Sequence, residues 1–328
     1  MTPLAIHGGR LAAARAAFPD APSPWLDLST GVNPRPYPAQ RASRAARARL
    51  PDLAETRALE VAAAHAFGCA PERVLATPGA EAAIRLLAST LEVRSAAIAG
   101  PTYSGHAEAW VAAGVAIEMV ERVRLGETAA GMLVLVNPNN PDGASTPRAE
   151  VADLAGRRGG WLIVDESFVE TAPDLSVAGM EMERLVVLRS FGKFYGLAGL
   201  RLGFVVGDPA LIDRLRSRQG EWPVSADAIA AGLAAYPDTA WAARTRTRLT
   251  RDAGRLDRLL AETGFELVGG TTLFRLVRAP DASRRFERLA RTGVLVRPFA
   301  YAADWIRFGL PPAWGWRRLE TALMESAA

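Results

Sequence analysis

The sequence predicts an α/β fold, with a large, doubly wound, mostly parallel sheet domain and a smaller α+β domain. Three observations predict it. Short apolar runs recur between segments of helical character from about residue 73 to residue 206. Glycine- and proline-rich polar turns fall where those runs end, and a parallel sheet gathers its ligands at the carboxyl ends of its strands. Beyond about residue 236 the pattern changes to short strands interleaved with two helices.

Taken in order, residues 11–40 read as proline-rich loop, and a helix is expected from about 40 to 67. A strand at 73–77, a helix at 80–91, a strand at 95–99 and a helix at 105–114 follow. Strands are then expected at 115–120 and 132–136, a helix at 147–157 and a strand at 161–164. The runs 184–188 and 202–206 read as two more strands around a glycine-rich loop, and residues 208–263 are helix-heavy. The small domain shows strands at 265–268, 273–277, 294–296 and 305–308, with helices near 282–291 and 313–325. The expected division is a large domain over 40–235 and a small one over 236–328 joined by residues 1–39.

At 328 residues the chain is long enough for this two-domain plan. Its mean hydropathy of +0.06 is that of an ordinary globular protein. No apolar run approaches the roughly 18 residues that a membrane span requires. The amino terminus has no basic stretch before an apolar core, so no signal peptide is expected. Cys69 is the sole cysteine, which excludes an internal disulfide and a cysteine-cluster metal site and fits a reducing cytoplasm. The net charge is only +4, and the arginines lie along helices beside acids, as in 244–258. That is the pattern of a solvated helix face. A nucleic-acid surface would need a concentrated stripe with stacking aromatics, and the sequence shows none.

Lys193 is the only lysine, beside 38 arginines. A guanidinium is permanently protonated and cannot serve as a nucleophile, whereas a lysine amine can. Composition alone leaves open a chance survivor on the surface; the flanks favour chemistry. Gly192, Gly196, Gly199 and Gly203 make a tight loop around the lysine, and Ser190 and Arg201 bracket it with two good phosphate partners. This segment resembles the cofactor-lysine segment of the fold-type I pyridoxal-phosphate enzymes, the aspartate-aminotransferase superfamily. The resemblance implies that Lys193 binds pyridoxal 5'-phosphate covalently while Ser190 and Arg201 hold its phosphate.

Other turns take on meaning beside it. Asn137-Pro138-Asn139-Asn140-Pro141-Asp142-Gly143 follows an apolar run and is a rigid turn in its own right. It resembles the family's Asn-Pro-x-Asn-Pro-Thr-Gly signature, with Asp142 in place of threonine, and the resemblance gives Asn140 to the cofactor's phenolic oxygen. Asp165 leaves a run of apolar residues, so its carboxylate is expected to be partly buried and to need a cationic partner or a helix to cap. By resemblance that partner is the protonated pyridine nitrogen, which makes the ring an electron sink. Phe168 stands where the family usually has tyrosine. Gly79, Ala80 and Glu81 open a helix after a strand, a natural phosphate site, and match the phosphate cup. Tyr103 matches the aromatic that stacks on the pyridine face. Arg307, inside a short apolar strand, would be costly to bury without an anion and matches the family's carboxylate-binding arginine; Arg297 is a second candidate.

Within the superfamily, His7-Gly8-Gly9-Arg10 and the run Asp27-Leu28-Ser29-Thr30-Gly31-Val32-Asn33-Pro34 resemble the threonine-phosphate decarboxylases of cobalamin synthesis. Residues 220–225 and 269–277 look like the aerobic-pathway branch, so the resemblance covers nearly the whole chain. It implies decarboxylation of L-threonine O-3-phosphate to (R)-1-aminopropan-2-ol phosphate, with His7, Gly8 and Asn33 meeting the substrate phosphate. A homodimer is expected with it, and no nucleic-acid, membrane or metal partner is expected. Leu50-Pro51-Asp52 departs from the Tyr-Pro-Asp of many relatives, whose tyrosine reaches the neighbouring subunit's cofactor phosphate. Histidinol-phosphate aminotransferase, with the same fold and a phosphorylated substrate, is the alternative.

Overall fold

The computed structural model describes residues 8–156 and 159–327. They form two compact units. The larger comprises Pro36–Asn140 and Ala144–Trp241; the smaller comprises the described part of Met1–Arg35, Pro141–Gly143 and Ala242–Ala328. The chain changes unit after Arg35 and after Trp241, and also over three residues of the Asn-Pro turn.

A seven-stranded sheet is the centre of the larger unit. Its order is Val74–Thr77, Gly203–Val206, Leu185–Ser190, Trp161–Asp165, Met132–Val136, Ser95–Gly100 and Ala116–Glu121. All neighbours are parallel except Gly203–Val206, which runs antiparallel to the strands on both sides. The inner strands are covered on both faces, which is why Met132–Val136 and Leu185–Ser190 are buried at every position. Ala116–Glu121 lies at an edge, and its exposed Glu118 and Met119 show it. Helix Ala80–Thr90 packs beside Ser104–Ala112 and Pro209–Gln219, burying Ile84, Leu87, Trp110 and Leu215 with the sheet. Helix Leu53–Phe67 packs against Ala226–Ala235 and Val74–Thr77.

The smaller unit holds a four-stranded antiparallel sheet in the order Arg297–Phe299, Ala302–Gly309, Phe274–Arg278 and Glu266–Thr271. A separate two-residue parallel pairing joins Leu26–Asp27 to Val294–Leu295. The long helix Thr239–Glu262 is assigned mainly to this unit, and Ala282–Arg291 packs against Trp316–Ala327 and the strand Ala302–Gly309.

Three expectations need correction. The helix expected over 40–67 is two helices, Arg44–Arg47 and Leu53–Phe67, because Pro51 interrupts the run and Asp52 starts a new one. Asp52 and Glu55 form a reciprocal capping box there, which satisfies the first free N–H groups of the second helix. The segment 11–40 is not all loop: Leu11–Ala17 is helical, as an alanine-rich run favours. The single strand expected at 294–296 is two, Val294–Leu295 and Arg297–Phe299, which pair in different sheets.

Candidate active site

In the larger unit, register brings the polar turns to one end of the sheet. Thr77 and Ser190 both pair with Gly203, on opposite sides of that antiparallel strand. The helix start at Gly79, residue Ser190 and the segment just before Gly203 are therefore neighbours. Gly79 takes φ +96, a conformation L side chains rarely adopt, and a Cβ there would lie 2.7 Å from Arg201 Nη2. No side chain caps the helix Ala80–Thr90, so the N–H groups of its first turn face outward beside that guanidinium. Arg201 itself sits at φ 56 and anchors its Nη1 on the Ala198 carbonyl at 3.0 Å. A phosphate group fits this arrangement of guanidinium, hydroxyl and helix start.

Asp165 ends its strand next to Val136 and Leu188, and its carbonyl accepts the N–H of Asn137 at 2.8 Å. Its carboxylate is buried, receiving the Ser167 N–H at Oδ1 and standing 2.9 Å from His106 Nε2 at Oδ2. Burial pushes this carboxyl toward protonation, but the hydrogen bond and charge of His106, with those of Ser167, outweigh it and hold its pKa below the usual carboxylate range. A permanent buried anion at the strand ends fits a protonated ring nitrogen. His106 belongs to no recognisable sequence motif. Its one signal was position: three residues beyond Tyr103, on the same helix face.

Tyr103 precedes that helix, and its hydroxyl donates to Glu81 Oε2 at 2.8 Å. Burial first, then this carboxylate, raises the phenol's pKa, so it remains a neutral ring. The Glu81 side chain thus serves Tyr103 and Arg85. The Asn137 amide closes the following turn on Thr146 in both directions, 2.9 and 2.8 Å, and Asn139 is held by Thr102 and the Pro101 carbonyl. Asn140 stands buried at the end of this braced segment.

Lys193 lies on the four-residue helix Phe191–Phe194, with its amine 5.9 Å from the centre of the Phe168 ring. Tyr195 is stacked between Phe191 and Trp241, which stiffens the lysine loop from behind. Beside the site, Arg189 forms a buried cluster with Glu166 at 3.1 Å and Glu170 at 2.8 Å, and lies over the Phe67 ring. Burial leaves Glu166 easier to protonate than an ordinary glutamate in spite of Arg189.

The remaining sequence candidates fall in the smaller unit, except that His7 lies outside the described residues. Arg297 and Arg307 are direct partners on adjacent strands, both buried. Burial and then Arg297 depress the Arg307 pKa well below the guanidinium norm. Arg307 Nη2 donates to the Ser29 carbonyl at 2.8 Å, and Ser29 Oγ accepts the Gly9 N–H at 2.7 Å. A Cβ on Gly8 would collide with that Ser29 carbonyl oxygen, so the turn can lie this close only as glycine. Asn33 is buried, with its Oδ1 accepting from the Arg35 N–H at 3.0 Å and from Arg248 Nη2 at 3.1 Å. Among the described residues there is no cluster of three or more His, Cys, Asp and Glu side chains placed to hold a metal ion. No helix among them is long and apolar enough to cross a membrane.

The chain is 40% identical to the threonine-phosphate decarboxylase of Sinorhizobium sp over 325 residues, 97% of both chains. It is 37% identical to that of Pseudomonas aeruginosa over the same share of each. Its fold is similar to histidinol-phosphate aminotransferase from Sinorhizobium meliloti in complex with pyridoxal-5'-phosphate, with a TM-score of 0.85 at 21% identity, covering 100% of this chain and 97% of the other. The family profile for aminotransferase class I and II matches residues 23–322, and the chain belongs to that family.

Proposed function

We propose that this protein is a pyridoxal-phosphate-dependent decarboxylase of L-threonine O-3-phosphate, giving (R)-1-aminopropan-2-ol phosphate for cobalamin synthesis. The observation that carries the substrate reading is Ser29. Its hydroxyl takes the Gly8–Gly9 turn and its carbonyl takes Arg307, so two anion-binding elements meet on one residue. Threonine phosphate carries two anions a few bonds apart, a carboxylate and a phosphate. Histidinol phosphate brings only the phosphate, but its 2-oxoglutarate partner brings carboxylates, so the 40% identity over nearly the whole chain to a threonine-phosphate decarboxylase is what favours the decarboxylase over the transaminase.

In this reading Ser190, Arg201 and the backbone of Gly79, Ala80 and Glu81 hold the cofactor phosphate. Asp165, braced by His106, faces the ring nitrogen; Asn140 donates to the phenolic oxygen; Tyr103 covers the ring. When bound, pyridoxal phosphate supplies the electron sink for the pair left as the Cα–carboxylate bond breaks. Arg307, with Arg297 beside it, holds the substrate carboxylate, and that orientation selects which bond at Cα breaks. Gly8, Asn33 and His7 take the substrate phosphate. Lys193 binds the cofactor in the resting enzyme and afterwards returns a proton from Nζ to Cα as carbon dioxide leaves. The protein is further read as a cytoplasmic homodimer.

The test is incubation of cofactor-loaded protein with L-threonine phosphate and no keto acid, following carbon dioxide and aminopropanol phosphate by mass spectrometry. Stoichiometric appearance of both, lost in Lys193→Ala, is the expected result. Glutamate formed from histidinol phosphate and 2-oxoglutarate, with no carbon dioxide from threonine phosphate, would overturn it.

A further inference from the structure

On the long helix of the smaller unit, Arg251, Arg255 and Arg258 are spaced four and three residues apart, which sets them on one face. Across from them comes Arg35, from a different chain segment. Together with Asp252 and Trp316 they line a concavity of about 370 Å³. Like charges at these spacings disfavour the helix that carries them, and a fourth cation from elsewhere adds to the repulsion.

The lining acid does not balance the charge. Asp252 is held by Arg251 at 3.1 Å and faces Arg248 at 3.8 Å. Among the described residues, Arg35, Arg255 and Arg258 make no ion pair. Elsewhere in the same unit Arg275 sits on Asp257, and Arg284 and Arg285 both sit on Asp281. Arg255 is also fixed in place, its guanidinium lying 4.3 Å over the ring of the buried Trp316. The groove is thus partly organised before any ligand arrives.

Guanidinium groups pair with phosphate oxygens bidentately. The concavity stands at the lower end of the volumes that small molecules occupy. Three cations without acidic partners match a chain of phosphates better than a single phosphomonoester, which carries about two charges at neutral pH. We propose that this groove binds the polyphosphate chain of a small molecule, either inorganic pyrophosphate or a nucleoside di- or triphosphate. The site is independent of the reaction proposed above.

Isothermal titration of the cofactor-loaded protein with pyrophosphate, ATP, AMP and inorganic phosphate tests it. Saturable one-to-one binding of pyrophosphate or ATP is expected, weakened at least about tenfold in Arg255→Gln/Arg258→Gln. The double variant Arg291→Gln/Arg317→Gln removes the same charge from the same unit and should leave that binding unchanged. ATP binding tighter than pyrophosphate supports a nucleotide as the source; pyrophosphate binding as tightly as ATP supports the chain alone. No saturable binding, equal weakening in both double variants, or AMP and phosphate binding as well as pyrophosphate would overturn the proposal. Unchanged cofactor absorbance and thermal midpoint show that each variant is folded.

Discussion

Asp165 and His106 share a 2.9 Å hydrogen bond in which both side chains are removed from water. Burial alone would push the carboxyl toward neutrality, and the imidazole reverses that direction. The charge on Asp165 therefore depends on a residue outside every recognisable motif.

Replacing His106 by Ala should raise the Asp165 pKa and weaken pyridoxal phosphate binding by about tenfold or more. The sign follows from the direction of the shift. Asp165 is held below the ordinary value near 4, so the native protein keeps its charge throughout the neutral range. Cofactor affinity, read by absorbance titration from mildly acidic to neutral pH, should be flat in the native protein. In His106→Ala it should fall as the solution is acidified, and His106→Gln should restore part of it.

Gly79→Ala places a Cβ against Arg201 at a backbone angle that L residues rarely adopt. A stability loss of about 1–2 kcal/mol is expected in chemical denaturation, with weakened cofactor binding. Gly68 has a similar positive φ with open space around the added atom, so Gly68→Ala should lose stability without losing cofactor.

Arg307 is a buried cation next to another buried cation, an arrangement that favours ligand binding over stability. Arg307→Met should lower kcat/KM by about 30-fold or more, corresponding to about 2 kcal/mol of lost charge-assisted bonding. Its thermal midpoint should change by only a few degrees, since the lost hydrogen bond to the buried Ser29 carbonyl opposes the relieved repulsion with Arg297. Steady-state kinetics and a melting curve on the same sample decide it.

Arg189→Met removes the cation from between Glu166 and Glu170. Breaking a buried pair of this kind costs about 3–5 kcal/mol at neutral pH. A carboxyl whose folded pKa lies above its unfolded value destabilises the fold at high pH and ceases to do so as it is protonated. Glu166 already leans that way, so the deficit should shrink as pH falls from neutral toward 5, as urea denaturation would show.

The strands were legible where burial on both faces wrote them as unbroken apolar runs. Met132–Val136 was read to the residue, and the runs before Asp165 and Ser190 nearly so. Helix boundaries were less legible, because one residue overrides a favourable stretch: Pro51 split what Ala- and Arg-rich neighbours presented as continuous. Leu11–Ala17 was hidden by the prolines that follow it. In the site, residues belonging to turns were recognisable from local spacing. His106, Glu166, Glu170 and Arg189 were not, since their roles arise from partners 19 to 59 positions away. The arginine in the otherwise apolar strand Leu185–Ser190 was the available hint that a buried acid must answer it.

A chain with one lysine is also a chain with one side-chain primary amine. Any reagent or isotope directed at that functional group addresses Lys193 and, at most, the amino terminus. Protein grown on lysine labelled with nitrogen-15 at Nζ would give a single side-chain resonance, readable without assignment. The protonation of the amine 5.9 Å from the Phe168 ring could then be followed directly as cofactor is added and removed. The molecule thus carries its own spectroscopic probe at Lys193.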